Sequence, residues 1–149
     1  MSGRVIIMRG LPGSGKSTYA KSIRGAHIVS ADDFFMVGDK YCYDPTKIGA
    51  AHVDCMRRFL DFLSSATDCV VVDNTNVTMK EITPYRLVAL AMGYSVEIVE
   101  IHATVGACIA SNTHDVPAEV IAGMSKRWEF QPAAWTQDVG GTQIRIRGK

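Results

Sequence analysis

The stretch Gly10-Leu11-Pro12-Gly13-Ser14-Gly15-Lys16-Ser17-Thr18 constrains this chain more than any other part of it. It fits the pattern G-x-x-x-x-G-K-[ST], with a short apolar run, Val5–Met8, before it and helical spacing over Lys16–Arg24 after it. A glycine-rich loop between a strand and a helix turns backbone N–H groups inward around phosphate oxygens, and the helix N-terminus adds partial positive charge. Gly10, Pro12, Gly13, Ser14, Gly15, Lys16, Ser17 and Thr18 are therefore read as the phosphate cradle of bound ATP. Lys16 bridges the β- and γ-phosphates in that reading, and the Ser17 hydroxyl ligates Mg²⁺. The competing explanation is a turn that matches by chance, against which the flanking strand and helix both argue.

Three further Val- and Ile-rich runs, His27–Ser30, Cys69–Asp73 and Ser95–Ile101, read as buried strands. Between and after them, helical spacing predicts helices over Thr46–Ser65, Met79–Met92, Thr104–Ser111 and Pro117–Trp128. In the first, Ile48, His52, Cys55, Phe59 and Phe62/Leu63 share a face, which makes His52 a core histidine in preference to a site group. Pro84 is expected to split off the first turn of the second. Strands alternating with helices imply an α/β three-layer sandwich, a parallel sheet of about four to five strands covered on both faces, and the glycine-rich loop makes it one of the P-loop NTPase kind. The alternation Gln143-Ile144-Arg145-Ile146-Arg147 is either an added edge strand or part of a flexible tail over 131–149. At 149 residues, 47% of them hydrophobic, residues 1–149 are expected to form a single domain.

Charge excludes some classes of function. Sixteen basic and fifteen acidic side chains give a net +1, so any contact with nucleic acid must rest on a local patch. The four cysteines show no metal-ligand spacing, and three lie in apolar patterns as buried thiols. Neither a signal-peptide apolar core nor a membrane-length apolar stretch occurs, which predicts a cytoplasmic protein, in a host's cytoplasm if the gene is viral, without membrane contact.

Two carboxylate positions complete the chemistry. Asp73 ends an apolar strand, where a parallel sheet opens onto the phosphate crevice, and is read as supporting Mg²⁺ in preference to capping a turn; Asn74, Thr75 and Asn76 stand beside it. Asp32 and Asp33 follow the second strand. A hydroxyl acceptor needs a carboxylate to take its proton, so Asp32 is assigned as general base and Asp33 as a cap or supporting group.

The Gly-x-Pro-Gly-Ser-Gly-Lys-Ser-Thr loop, Ser30-Ala31-Asp32-Asp33, Asp73-Asn74-Thr75-Asn76 and Asn112-Thr113-His114-Asp115-Val116-Pro117 together resemble P-loop kinases of the polynucleotide 5′-kinase type, phage enzymes included, and related AAA-type ATPase domains. The resemblance covers residues 4–130. It implies ATP·Mg²⁺ on Lys16 and Ser17, Asp32 as base, residues 112–117 as a lid, and the 5′-hydroxyl of a polynucleotide or nucleoside-like compound as acceptor. Such lids normally carry an arginine where this chain has Ser111, and no Lys or Arg occurs between Leu87 and Ser125. Arg127, or Lys126 beside it, is the assigned substitute cation, with a solvated helix end the competing reading of both and His114 the other candidate inside the lid. Phe35 stands where phage enzymes place an arginine near the acceptor. Arg57 and Arg58 are either acceptor-phosphate contacts or solvated helix residues, and Tyr41 and Tyr43 beside Lys40 are either a base-stacking pair or an ordinary surface loop. Two other readings stay open: a small-metabolite kinase, and an ATP-binding module with slow hydrolysis that acts through a partner.

Overall fold

Each apolar run becomes a strand of one parallel sheet, because burial on both faces leaves Val and Ile no solvated side. In the computed structural model, which describes residues 3–132, 135 and 142–148, the strands are β1 (Arg4–Arg9), β2 (His27–Val29), β5 (Cys69–Asp73), β6 (Ser95–His102) and β7 (Thr142–Gly148). Their order is β2-β5-β1-β6-β7, and every pairing is parallel. β1 thus lies centrally, with connections diverging on either side of it, and the crevice beyond its carboxyl end is where such sheets bind ligands. A separate antiparallel hairpin, β3 (Met36–Val37) and β4 (Lys40–Tyr41), occupies part of the region read as a loop.

The period of two sorts the sheet residues between two cores. Val5, Ile7, Val70, Val72, Val96 and Ile98 face α2 (Ile48–Ser64) and α3 (Met79–Ala91), which contribute Cys55, Phe59, Ile82 and Tyr85. Ile6, Met8, Cys69, Val71, Val99 and Ile101 face α1 (Lys16–Ser22), which contributes Ala20 and Tyr19. A third cluster joins Leu11 to Cys108 of α4 (Val105–Ser111) and Ile121 of α5 (Ala118–Arg127). The predicted three-layer architecture is present, and the C-terminal alternation is a parallel edge strand.

Two expectations need correction. Pro84 lies inside α3 without dividing it. It removes only the N–H that would bond to the Lys80 carbonyl, and burial of Ile82, Tyr85 and Ala89 on either side holds the turn. His52 is exposed, and the buried face of α2 runs instead through Ala51, Cys55, Phe59 and Leu63. Ala51 is the residue enclosed in the core, and the imidazole turns to water.

Candidate active site

The loop from Gly10 to Gly15 is held by its own backbone before any ligand enters. Gly10 N–H donates to the Thr75 carbonyl at 3.1 Å, and Ser14 N–H donates to the Leu11 carbonyl at 3.0 Å. Gly13 has φ +83, and a Cβ there would lie 2.1 Å from the Cys108 carbonyl oxygen, so the loop tip is pressed against α4 with no room for a side chain. Because Cys69 and Val71 face α1, Asp73 two residues further projects to that same face. There the Ser17 hydroxyl donates to Asp73 Oδ2 at 2.7 Å, and Lys16 Nζ stands 3.8 Å from Asp73 Oδ1. Lys16 and Asp73 are buried, 9% and 8% exposed. Side chains 56 residues apart in the sequence are thus brought to one point.

Asp32 lies on a 3-10 turn, Ala31–Phe35, that several side chains pin to the sheet. Ser30 caps it by accepting from Asp32 N–H at 3.2 Å, so the cap role expected of Asp33 belongs to Ser30. Asp33 instead accepts from Arg58 at 3.2 Å. Arg58 also donates to the Ser30 carbonyl at 2.8 Å and to Asp54 at 3.0 Å. It is therefore a brace for the turn that carries Asp32, while Arg57 is exposed. Asn74 Oδ1 accepts from Ala31 N–H at 2.8 Å, tying the end of β2 to the end of β5, whereas Asn76 turns inward and donates to the Met8 carbonyl at 2.7 Å. Asp32 itself is exposed, and its Oδ1 accepts from the Tyr41 hydroxyl at 3.2 Å. Burial first, and the neighbouring Asp32 charge second, push the Tyr41 phenol well above its ordinary pKa, so it stays a donor. Phe35 is buried against Tyr41 and Tyr43, whose rings lie 6.3 Å apart and nearly parallel.

Asn112 closes the lid segment on itself, its Nδ2 donating to the Val116 carbonyl at 2.6 Å and its Oδ1 accepting from His114 and Val116 N–H groups. The His114 ring meets Tyr41 edge-on at 4.2 Å, which joins the lid to the hairpin beside Asp32. Pro117 caps α5 in place of occupying its first position. Lys126 and Arg127 are exposed in the last turn, and the Arg127 guanidinium lies along its own helix, 3.4 Å from where Gly123 would carry a Cβ. Among the described residues, no contact joins either cation to Lys16, Ser17 or Asp73.

A family profile described as an AAA domain matches residues 5–130. The chain belongs to that family. As a P-loop kinase-like AAA domain, it is 32% identical over 98 residues to human NEDD4-binding protein 2, a match that spans 63% of this chain and 5% of the relative's length. Among solved structures, it superposes on a chain of the Pnkp1/Rnl/Hen1 RNA repair complex with a TM-score of 0.68 at 17% identity, covering 85% of this chain and 44% of that one. Kti12 from Chaetomium thermophilum, in complex with ADP-AlF3, gives 0.63 at 12% identity, covering 97% and 88%. A gluconokinase from Sinorhizobium meliloti gives 0.55 at 15% identity, covering 97% and 82%. At these identities, the likeness to solved structures is a likeness of fold.

Within this AAA domain the donor set fits a divalent cation. Among the described residues Asp73 Oδ1 is buried without a hydrogen-bond partner, and the Ser17 hydroxyl lies on the same carboxylate, an all-oxygen pair of the kind Mg²⁺ takes. Sequence reasoning missed Arg9. It is 0% exposed and donates to the carbonyls of Asn76, Val77 and Glu129 and to Glu100 at 2.6 Å, with Trp128 4.1 Å from its guanidinium carbon. Burial works against ionisation of Glu100, yet hydrogen bonds from Gln131 and His102 and the charge of Arg9 hold its carboxyl below the usual range. The only sequence signal for this hub is an arginine directly before the loop. Among the described residues no disulfide joins the cysteines, and Cys55, Cys69 and Cys108 are buried as expected while Cys42 is exposed. No helix among the described residues is long and apolar enough to cross a membrane.

Proposed function

We propose that this chain is an ATP-dependent kinase, one domain over residues 1–149, that transfers the γ-phosphoryl group to a hydroxyl, with the 5′-hydroxyl of a polynucleotide or nucleoside-like compound as acceptor. The observation that carries the reading is the meeting of Ser17, Lys16 and Asp73 beneath a preformed glycine-rich loop. Gly10, Pro12, Gly13, Ser14, Gly15 and Thr18 surround the phosphates, and Lys16 neutralises charge between the β- and γ-groups. Ser17 and Asp73 hold Mg²⁺, which when bound draws electron density from the phosphoryl oxygens. β2 and β5 are parallel, with Val29 opposite Val72, so Asp32 and Asp73 follow at the same edge of the sheet. Asp32, kept in place by Arg58 and Tyr41, accepts the acceptor's proton as the oxygen attacks the γ-phosphorus in line and the bond to the β–γ bridging oxygen breaks, releasing ADP. Tyr41 and Tyr43 beside that carboxylate support an acceptor bearing a flat base. Arg127 is the proposed cation for the transferred group, and the cytoplasm is the proposed compartment.

Transfer of label from γ-labelled ATP to a 5′-hydroxyl oligonucleotide tests the proposal, with gluconate and nucleosides as competing acceptors. Asp32→Asn should lower kcat by about 10²–10⁴ with little change in ATP affinity, and unaltered transfer would remove the base assignment. Lys16→Ala should abolish ATP binding with the circular dichroism spectrum intact. The lack of any Lys or Arg from Leu87 to Ser125 favours the second reading, a slow ATPase module that reports nucleotide state to a partner. Label released to water and to no acceptor would favour it.

A further inference from the structure

We propose that the hydroxyl acceptor is a flat, uncharged compound of the nucleoside class, seated in the corner that Tyr41 of the hairpin and His114 of the lid form beside Asp32. This rests on the reading of the site as a kinase with Asp32 as its base, and narrows the acceptor within it. The Tyr41 hydroxyl donates to Asp32 Oδ1 at 3.2 Å, which fixes the ring against the carboxylate and leaves Oδ2 for the incoming hydroxyl. The His114 ring centre lies 4.2 Å from that of Tyr41, with the two planes inclined at 65°. Rings so inclined make a corner, where a flat compound stacks on one and meets the other with its edge, both arrangements that aromatic groups favour. Tyr43, 53% exposed and inclined by only 13° to Tyr41, continues that surface, and buried Phe35 backs both tyrosines.

Charge decides what else the acceptor carries. Among the described residues, Arg58 is the one cation in contact with the turn that bears Asp32, and it is already held by Asp33 at 3.2 Å, Asp54 at 3.0 Å and the Ser30 carbonyl at 2.8 Å. One positive charge thus stands against three negative ones, those of Asp32, Asp33 and Asp54. Lys40 directly precedes Tyr41 in β4, so the period of two turns it to the other face of the hairpin. Arg57 is exposed on the side of α2 away from the core, and Lys47 lies near Asp44. The lid adds Asp115 and no cation, since no Lys or Arg occurs between Leu87 and Ser125. A phosphate next to the reacting hydroxyl would meet these carboxylates and be repelled, whereas a neutral ring meets only the aromatic corner.

Transfer of label from γ-labelled ATP by the full chain, measured with a nucleoside and with its 3′-monophosphate, tests the assignment. The nucleoside should show a kcat/KM higher by about fivefold or more, the ratio that one like-charge contact near 4 Å gives in water, and added salt should narrow the difference. Asp33→Asn removes one of the carboxylates and loosens Arg58, so it should narrow the difference as well. His114→Ala should raise the nucleoside KM by about 5- to 30-fold, with kcat and ATP affinity within about twofold of wild type, and His114→Phe should restore the KM. Equal or preferred use of the 3′-monophosphate would overturn the proposal and leave the kinase reading standing, as would an unchanged KM in His114→Ala. Label that passes to water alone, with neither acceptor phosphorylated, would overturn both.

Discussion

Replacing Arg9 by Met keeps the length and apolar stem of the side chain and deletes a charge that the fold has enclosed. The guanidinium makes four hydrogen bonds, to Asn76, Val77 and Glu129 carbonyls at 2.8, 2.9 and 2.7 Å and to Glu100 at 2.6 Å. Its loss strands Glu100, only 4% exposed, with Gln131 and His102 as remaining partners. Removing one partner of a buried pair costs about 3–5 kcal/mol, mostly as the penalty on the charge left behind. Urea denaturation followed by far-ultraviolet circular dichroism should therefore show a lower midpoint with an unchanged slope. If the stranded carboxylate is the main cost, Glu100→Gln in the Arg9→Met background should restore about 1–3 kcal/mol relative to the sum of the two single losses. A double variant whose loss equals that sum within about 0.5 kcal/mol would refute the reasoning and leave the three carbonyls as the whole effect.

Asp73→Asn should leave the fold intact and abolish the dependence of ATP binding on Mg²⁺, read as equal calorimetric affinities with and without the ion. Gly13→Ala forces a Cβ against the Cys108 carbonyl at a left-handed backbone position, and should lower stability by several kcal/mol and abolish ATP binding, read from thermal melts with and without ATP. Glu100 carries a folded pKa below its ordinary value of 4.5, so its stabilisation is complete above that value and drains away as pH falls through the lowered one. Urea midpoints between roughly pH 7 and 3 should accordingly drop less steeply in Glu100→Gln than in wild type. Arg127→Ala should reduce kcat by about 10²–10³ if it meets the transferred phosphoryl, while Lys126→Ala and His114→Ala should not; an unchanged rate in Arg127→Ala would move the cation elsewhere.

What the sequence made legible was whatever local pattern determines. The strands were readable because burial on both faces demands unbroken Val and Ile, and the loop because phosphate binding demands glycine at fixed spacing. Arg9 was not, since an arginine after Val5–Met8 reads as the strand's solvated end, and only contacts from residues 76, 77, 100 and 129 make it a buried hub. His52 failed for a related reason. Helical spacing defines a stripe within one residue, and the tie between Ala51 and His52 is broken only by tertiary packing, which buries Ala51 with Cys55, Phe59 and Leu63. The Arg58 brace and the hydrogen bond from Tyr41 to Asp32 each join separate elements, so neither leaves a mark in local spacing.

The central place of β1 sets the order in which the protein can be made. Its hydrogen-bonding partners begin only at Cys69 on one side and Ser95 on the other. At a synthesis rate of about 5–20 residues per second, Val5–Met8 must wait roughly 5–20 s before both neighbours have been translated. Pairing so distant in sequence is also entropically slow once the chain is free. For that interval the apolar run of β1 is a bare adhesive edge, a natural client for a holding chaperone. The phosphate loop, suspended from that strand, is among the last features to acquire its shape, so a molecule able to grip a nucleotide is one whose sheet has already closed around β1.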